Sequence, residues 1–277
     1  MAIITDRKYY MEDKLKLNLD YVPSMLDRDN DFWMIICGPE RAGKSTLGKQ
    51  IAYYLDPTFN HERIGGSSEN YIQVVLKEKG KRKAFLWDEA GMGGDAIGFA
   101  SKENKMMRSF AEIVGYKNHI HILCLPSFYK LSSYFAVDRS AHLIQVVGKP
   151  FRKEDGTPDF LKGKFRAWGR RKKNLMYTNY KKRGKLFSEF RDYAGKFNDF
   201  SPINEAAYMQ KKEELLMQFL PKEKKKEKID DTELIKELLR RGKSVKEIQS
   251  IVNKSHVWIY EQRKRLNLEE EETAGVD

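Results

Sequence analysis

The sequence has few cysteines and no long apolar run. Cys37 and Cys124 are the two cysteines among 277 residues, and neither has a second cysteine at the spacing of a zinc site. No apolar run approaches the roughly 20 residues that cross a bilayer, so no membrane span is predicted. The first residues, MAIITDRKYYMEDK, lack the apolar core of a signal peptide. We therefore expect a cytoplasmic protein whose cysteines are reduced and buried in its core.

Acidic residues are too few to balance the basic ones. The chain contains 52 lysines and arginines against 40 aspartates and glutamates, and its net charge is +12. Sixteen basic and five acidic residues lie between positions 149 and 196, so this segment alone carries +11. A concentrated positive charge predicts a polyanionic partner, here DNA, and a merely solvated basic surface is the alternative. The residues predicted to contact DNA phosphates are Arg170, Arg171, Lys172 and Lys173.

Apolar runs alternate with segments of helical periodicity in the first half of the chain. Continuous runs predict strands covered on both faces, and apolar residues recurring every three or four positions predict helices. The predicted strands are 32–37, 84–87, 119–128 and 142–147, and the predicted helices are 45–55, 69–80 and 102–118. This alternation predicts an α/β fold with a mostly parallel sheet flanked by helices.

A glycine-rich turn joins the first predicted strand to the first predicted helix. Its sequence, GPERAGKS, fits the pattern GxxxxGK followed by Ser or Thr. Backbone N–H groups of such a loop surround phosphates, while Lys44 reaches the β- and γ-phosphates and the Ser45 hydroxyl binds Mg²⁺. The loop therefore predicts ATP and Mg²⁺ as ligands. The predicted nucleotide-binding residues are Gly38, Pro39, Glu40, Arg41, Ala42, Gly43, Lys44, Ser45 and Thr46.

A second half of this site is predicted where the strand AFLW ends. Asp88 follows that strand directly, at the edge of the sheet where open α/β proteins bind their ligands. We expect Asp88 to hold Mg²⁺ through water and Glu89 to activate the attacking water. An adjacent base of this kind favours hydrolysis over phosphoryl transfer to a small acceptor.

Sensing of the γ-phosphate needs a polar residue, and stabilisation of the transition-state charge needs an arginine. Ser127, a polar residue at the tip of the predicted strand 119–128, is the candidate sensor of the γ-phosphate. Arg139 is the first candidate for the arginine that stabilises transition-state charge, in cis or from a neighbouring copy, and Arg108 is the second. Arg41, within the loop, is the third candidate, and a structural ion pair is the alternative for each arginine.

Four segments together resemble the FtsK/HerA-like branch of P-loop ATPases, and within it the Zot-like group of viruses and mobile elements. They are GPERAGKST, WDEAGMG, HIHILCLPSF and DRSAHLIQVV, which span about residues 30 to 150. The resemblance implies a five-stranded sheet core and a homo-oligomeric ring that drives DNA translocation, packaging or extrusion. Two features depart from the pattern: filamentous-phage Zot proteins carry a membrane span, and Ser127 stands where Gln or Asn is common.

The last third of the chain predicts a helix, a charged linker and a helix-turn-helix-like module. Ser244 and Glu247 match a capping box at the start of one helix, and Ser255 is placed to cap the next. That second helix would present His256, Tyr260, Arg263 and Lys264 to a DNA groove, and an oligomerisation module is the alternative. The small core is expected from Ile248, Val252, Ile259, Leu234, Leu238 and Leu239.

The predicted organisation has five segments and one principal function. The segments are a P-loop ATPase core (1–148), a basic β-rich extension (149–200), a helix and charged linker (201–228), the helix-turn-helix-like module (229–268) and an acidic tail (269–277). The first interpretation is a viral or mobile-element ATPase for DNA packaging or translocation, acting in the host cytoplasm. The others are a replication or recombination ATPase, such as a loader, and a slowly hydrolysing, nucleotide-switched DNA-binding regulator.

Overall fold

The chain folds into two compact units, residues Met1–Leu216 and Met217–Asp277. The computed structural model describes residues 3–4, 9–88, 102–184, 190–217, 231–252 and 255–274. The strands are β1 (Ile3–Ile4), β2 (Tyr9–Tyr10), β3 (Phe32–Cys37), β4 (Ile64–Gly65), β5 (Ala84–Trp87), β6 (Ile120–Leu125), β7 (Ser140–Arg152), β8 (Pro158–Gly169) and β9 (Tyr193–Lys196). The helices are α1 (Asp13–Asp20), α2 (Val22–Asp27), α3 (Lys44–Leu55), α4 (Ser68–Lys77), α5 (Lys102–Val114), α6 (Arg170–Arg183), α7 (Glu205–Met217), α8 (Asp231–Arg240), α9 (Val245–Val252) and α10 (His256–Ala274).

The first unit is built on a mixed sheet. Within the described residues its strand order is β4-β5-β6-β3-β7-β8-β9, and β1 and β2 form a separate small pair. The five strands from β4 to β7 are mutually parallel. Strand β6 therefore lies between β3, which leads into the glycine-rich loop, and β5, which leads into Asp88. The predicted α/β class with a mostly parallel sheet is confirmed.

The sheet has an apolar core on both faces, as continuous apolar strands require. Alternate residues of β3 divide between the two cores: Phe32, Met34 and Ile36 join one, and Trp33, Ile35 and Cys37 join the other. Helix α3 and the N-terminal helices α1 and α2 pack on the first face, whereas α4, α5 and α6 pack on the second. The helices α1 and α2 were not predicted, because residues 1–31 are polar overall.

Strands β7, β8 and β9 continue the parallel core as an antiparallel meander. The predicted boundary between residues 148 and 149 falls inside β7, which pairs with β8 on both sides of it. The basic extension is therefore part of the same sheet. Beyond β8 the chain differs from the predicted β-rich extension, since residues 170–183 form helix α6. This segment has no internal Gly or Pro, and Gly184 ends the helix with a φ of +64°.

The second unit is a small three-helix arrangement. Ile235, Ile248 and Ile259, one from each of α8, α9 and α10, are buried together. The Ser244 backbone N–H donates to Glu247 (2.8 Å), the Glu247 N–H donates back to the Ser244 hydroxyl (3.4 Å), and Ser255 accepts from the Trp258 N–H (3.2 Å). Helix α10 continues to Ala274, through much of the predicted tail. Asn253 and Lys254, which separate α9 from α10 in the sequence, lie outside the described residues.

Two further expectations concern the membrane and the cysteines. Within the described part of the chain, no helix is both long and apolar enough to cross a bilayer. Cys37 and Cys124 are free thiols and both are buried. Burial raises the pKa of the Cys37 thiol to about 12, so this thiol stays protonated in the fold.

Candidate nucleotide-binding site

The glycine-rich loop lies at the carboxyl edge of the parallel strands, between β3 and α3. Gly38 has a φ of +145°, and a Cβ there would lie 2.4 Å from the Val146 carbonyl oxygen. Gly43 has a φ of +97° at the N-cap of α3. A side chain at either position would be strained or would clash, so the loop path requires both glycines. Arg41, an exposed non-glycine residue, also takes a left-handed φ, +59°.

Lys44 closes the loop on itself. Its ammonium donates to the carbonyl oxygens of Gly38 (3.0 Å) and Pro39 (2.8 Å), across the loop. Since α3 begins at Lys44, the unpaired N–H groups and the positive end of the helix dipole point into the same loop. The loop thus combines a lysine cation with backbone donors, which is the donor set that binds phosphate. Of the other loop residues, Glu40 is exposed, Ala42 is buried and Thr46 is half-buried.

Ser45 and Asp88 meet beside this loop. The Ser45 hydroxyl donates to Asp88 Oδ1 at 2.6 Å, although the two residues are 43 positions apart. Asp88 is 6% exposed, and its backbone N–H donates to the Gly65 carbonyl oxygen (2.9 Å), which fixes the chain where β5 ends. A hydroxyl and a carboxylate are the oxygen ligands that Mg²⁺ takes in phosphate sites. These two side chains therefore fit the predicted metal site.

Two residues of α7 also contact Asp88, and sequence reasoning did not find them. The Tyr208 hydroxyl donates to Asp88 Oδ2 at 2.5 Å, and Lys212 Nζ lies 3.9 Å from the same oxygen. Burial and the negative charge of Asp88 raise the pKa of Tyr208 well above its usual range, so the phenol remains a donor. The helix was predicted from its composition, but no local pattern tells which distant residue it contacts.

Ser127 and Glu89 are the two other predicted members of the site. Ser127 follows β6 closely and is half-buried at the same carboxyl edge of the sheet. This position agrees with a role close to the loop, and its role as a sensor stays a prediction. Glu89, the predicted base, lies outside the described residues.

Arg139 lies at the opposite edge of the sheet from the loop. It directly precedes β7, whose Ser140 pairs with Trp33 near the amino end of β3. Its guanidinium donates to Asp31 Oδ2 (2.6 Å) and to the Ala111 carbonyl oxygen (2.5 Å). Arg139 thus lies away from the loop of its own chain and forms a structural ion pair, which was the alternative. Its action on the loop of a neighbouring copy stays a prediction.

The second and third arginine candidates, Arg108 and Arg41, differ in their distance along the chain from the loop. Arg108 is exposed on α5 and pairs with Glu112 at 3.0 Å, one helical turn along. Arg41 is the one predicted candidate that belongs to the loop itself. Of the three arginines, Arg41 is therefore the one whose position suits a role within a single chain.

Only part of the basic cluster predicted to contact DNA phosphates, at the start of α6, is exposed. Lys173 is fully buried, and its ammonium donates to the Ala136 carbonyl oxygen and to Asn174 Oδ1 (2.6 Å). Burial lowers the pKa of Lys173 to about 7, so the prediction of a phosphate contact is corrected for this residue. Lys172 pairs with Asp192 at 2.6 Å, whereas Arg170 and Arg171 are exposed.

The second unit presents the residues predicted for a DNA groove. His256, Tyr260, Arg263 and Lys264 all lie on α10 and are exposed, with Tyr260 at 58%. Gln262, on the same helix, is buried, so α10 has one inward face and one exposed polar face. Their contact with DNA stays a prediction.

The parallel strand order, the glycine-rich loop and Asp88 at the end of β5 define the fold as that of a P-loop NTPase. No family model matches the sequence, and no curated protein matches it. Among solved structures, the chain is similar to the ATPase DotB of Legionella pneumophila, with 10% identity and a TM-score of 0.36. That match covers 62% of this chain and 52% of the DotB chain.

Proposed function

We propose that the chain hydrolyses ATP with Mg²⁺ at the loop 38–46. The observation that carries this proposal is the 2.6 Å contact between Ser45 and Asp88, which assembles a metal-binding pair beside the Lys44 loop. The loop N–H groups and the Lys44 ammonium would bind the phosphates, and Ser45 and Asp88 would hold the metal. Bound Mg²⁺ would neutralise charge that develops on the phosphates. Glu89, next to Asp88 in sequence, would accept the proton of the attacking water.

Two substitutions test this chemistry. Lys44→Ala should abolish ATP binding because the loop loses its only lysine, whereas Lys16→Ala on the distant helix α1 should leave binding unchanged. Glu89→Gln should keep ATP binding and stop turnover, since a carboxamide cannot accept the proton. Binding is measured by calorimetry and turnover by phosphate release. Full turnover by Glu89→Gln would remove this residue from the role of base, and binding by Lys44→Ala would overturn the site.

The proposal also makes DNA the partner on which hydrolysis acts. Support comes from the face of the meander, where Lys162, Lys164 and Arg166 are exposed at alternate positions of β8. Lys164 lies directly opposite Lys196 on β9, a like-charge pair that costs stability unless an anion lies over it. Within the described residues neither ammonium has a carboxylate partner. A cavity of about 470 Å³ is lined by Lys164, Arg166, Arg191 and Lys196, and also by Glu12 and Phe165.

The DNA part is tested separately from the ATPase part. Replacing Lys164, Arg166 and Lys196 by Ser should weaken binding of all duplex sequences alike and reduce the salt slope by roughly 0.9 for each phosphate that the variant no longer neutralises. The matched control replaces the exposed Lys181, Lys182 and Arg183 at the end of α6, which removes the same charge elsewhere. Equal effects of the two triple variants would show a diffuse charge effect and no defined surface.

Three biological roles fit a DNA-dependent ATPase, and each predicts a different coupling between ATP and DNA. A packaging or translocation motor, assembled as a ring of copies, predicts ATP turnover that duplex DNA strongly stimulates. A loader predicts nucleotide-dependent assembly on DNA, and a regulator predicts slow turnover with nucleotide-dependent DNA affinity. The exposed polar face of α10 supports the regulator as the second candidate. Substituting Arg263 there should weaken binding to a preferred DNA sequence by about 1 to 3 kcal/mol and leave non-specific binding intact.

A further inference from the structure

Helix α7 places a buried phenol on the carboxylate of the candidate metal site. The Tyr208 hydroxyl lies 2.5 Å from Asp88 Oδ2, and the tyrosine is 6% exposed. The two residues are 120 positions apart, so only the fold brings them together. With the Ser45 hydroxyl on Oδ1, both oxygens of Asp88 accept a short hydrogen bond from a hydroxyl.

Several contacts hold α7 in this position. Glu205 accepts two hydrogen bonds from Lys49 Nζ, at 2.7 and 3.0 Å, and Lys49 lies on the buried face of α3. The same ammonium lies 4.2 Å from the centroid of the Tyr208 ring. Farther along the helix, Lys211 donates to the carbonyl oxygens of His61 (3.1 Å) and Glu62 (2.9 Å). Contacts on both sides of Tyr208 in the sequence, at Glu205 and at Lys211, therefore hold this helix against the rest of the unit.

The segment before α7 is tied to the loop as well. Gln50 donates to the carbonyl oxygens of Asn198 (2.9 Å) and Phe200 (2.8 Å). The Phe197 ring lies beside Gly43, where a Cβ would approach it within 3.0 Å. Residues between 197 and 208 thus contact α3 and the glycine-rich loop, and these contacts couple the position of Tyr208 to that of the loop.

The side chains of Ser45, Asp88 and Tyr208 are chemically compatible with a bound metal. Ser45 donates its proton to Asp88 and still carries acceptor lone pairs on its oxygen, so this hydroxyl can bind a cation without losing the hydrogen bond. Tyr208 occupies the other carboxylate oxygen as a donor and contributes no negative charge. A neutral donor on the far oxygen holds the plane of the carboxylate, and such outer hydrogen bonds orient metal ligands.

We propose that Tyr208 is a positioning residue for the metal site, acting by holding the Asp88 carboxylate in the orientation that Mg²⁺ requires. The helix that carries it makes metal binding dependent on a segment outside the loop and the strands that form the rest of the site. This inference rests on the proposed nucleotide function.

The test compares Tyr208→Phe with the wild type, and Tyr177→Phe is the matched control. Tyr177 is also buried, and its hydroxyl donates to the Leu131 carbonyl oxygen at 2.6 Å, on the sheet face opposite α3. Binding of a non-hydrolysable fluorescent ATP analogue is measured over a series of Mg²⁺ concentrations and in EDTA. Tyr208→Phe should raise the Mg²⁺ concentration for half-maximal binding about ten-fold or more, while its affinity in EDTA stays that of the wild type. Tyr177→Phe should change neither.

A second variant separates positioning from packing. In an Asp88→Asn background, Tyr208→Phe should have no further effect on the Mg²⁺ requirement, because the group it orients is gone. An unchanged Mg²⁺ requirement in Tyr208→Phe, or one that falls, would overturn the proposal. So would a loss of analogue affinity in EDTA that accounts for the whole effect. Failure of the wild type to bind the analogue would instead overturn the proposed function.

Discussion

Lys49 and Glu205 form an ion pair that ties the helix after the glycine-rich loop to helix α7. The distance from Nζ to Oε2 is 2.7 Å, and the side chains are 3% and 50% exposed. A lysine this deeply buried needs a carboxylate nearby, since an unpaired ammonium would be costly to desolvate. The pair therefore links the stability of the first unit to the placement of α7.

Glu205→Ala should destabilise the first unit because Lys49 is left buried without its carboxylate. We expect a loss of about 1 to 3 kcal/mol in the free energy of unfolding, measured by urea denaturation. Glu112→Ala is the control, because it breaks an exposed pair with Arg108 and should cost less than about 0.5 kcal/mol. A Glu205 variant no less stable than the control would show that the ion pair contributes nothing.

Ser45→Ala should impair metal binding more than nucleotide binding. The substitution removes a hydroxyl that contacts Asp88 and leaves the Lys44 contacts with the loop in place. We expect analogue binding in EDTA to be preserved and the Mg²⁺ requirement to rise by about ten-fold or more. Ser45→Thr keeps the hydroxyl and should restore the wild-type requirement. If Ser45→Ala and Ser45→Thr behave alike, the hydroxyl is not part of the metal site.

Arg139→Ala should lower stability and leave catalysis by each folded molecule largely unchanged. Its partner Asp31 also accepts a hydrogen bond from Trp33 Nε1 (2.7 Å), so the arginine supports the packing of an aromatic core residue. Mixing this variant with Lys44→Ala should give no gain in ATP turnover at any ratio. Recovered turnover in the mixture would show instead that Arg139 acts on the site of a neighbouring copy.

Acid should destabilise the first unit through its buried histidines. Burial lowers the pKa of both His119 and His142 to about 4, from an ordinary value of 6.5. Between these values each ring is neutral when folded and protonated when unfolded, so the unfolded state binds more protons. Stability should therefore fall as pH drops from 6.5 towards 4, with each histidine adding about 1.4 kcal/mol per pH unit to the slope.

His142→Gln measures one part of this slope. Urea unfolding at pH 7.5 and at pH values down to about 4.5 should show a smaller pH dependence for the variant than for the wild type. His256→Gln is the control, because that ring is exposed in the second unit. Identical slopes for wild type and His142→Gln would contradict a neutral, buried His142.

The elements on either side of the glycine-rich loop follow from contiguous residues. The runs FWMIIC and AFLW become β3 and β5 with the predicted bounds, and the helix predicted at 45–55 is α3, one residue longer at its start. Gly38 and Gly43 adopt backbone angles that only glycine takes easily, so the loop is specified where it stands in the sequence. The capping hydrogen bonds of Ser244 and Glu247 are likewise local. In each case the deciding interactions span few residues, and the residue pattern reports them directly.

The tertiary structure decided which distant side chains contact the site and which predicted residues lie away from it. Sequence alone placed Asp88 at a strand end, but only the packing of α7 brings Tyr208 to its carboxylate. Strand direction puts Arg139 at the edge of the sheet away from the loop, and the packing of α6 buries Lys173 inside a basic cluster. An arginine or lysine has the same residue type whether it is exposed, paired or buried. Its role depends on which elements pack around it, and those long-range contacts leave no periodic signal in the chain.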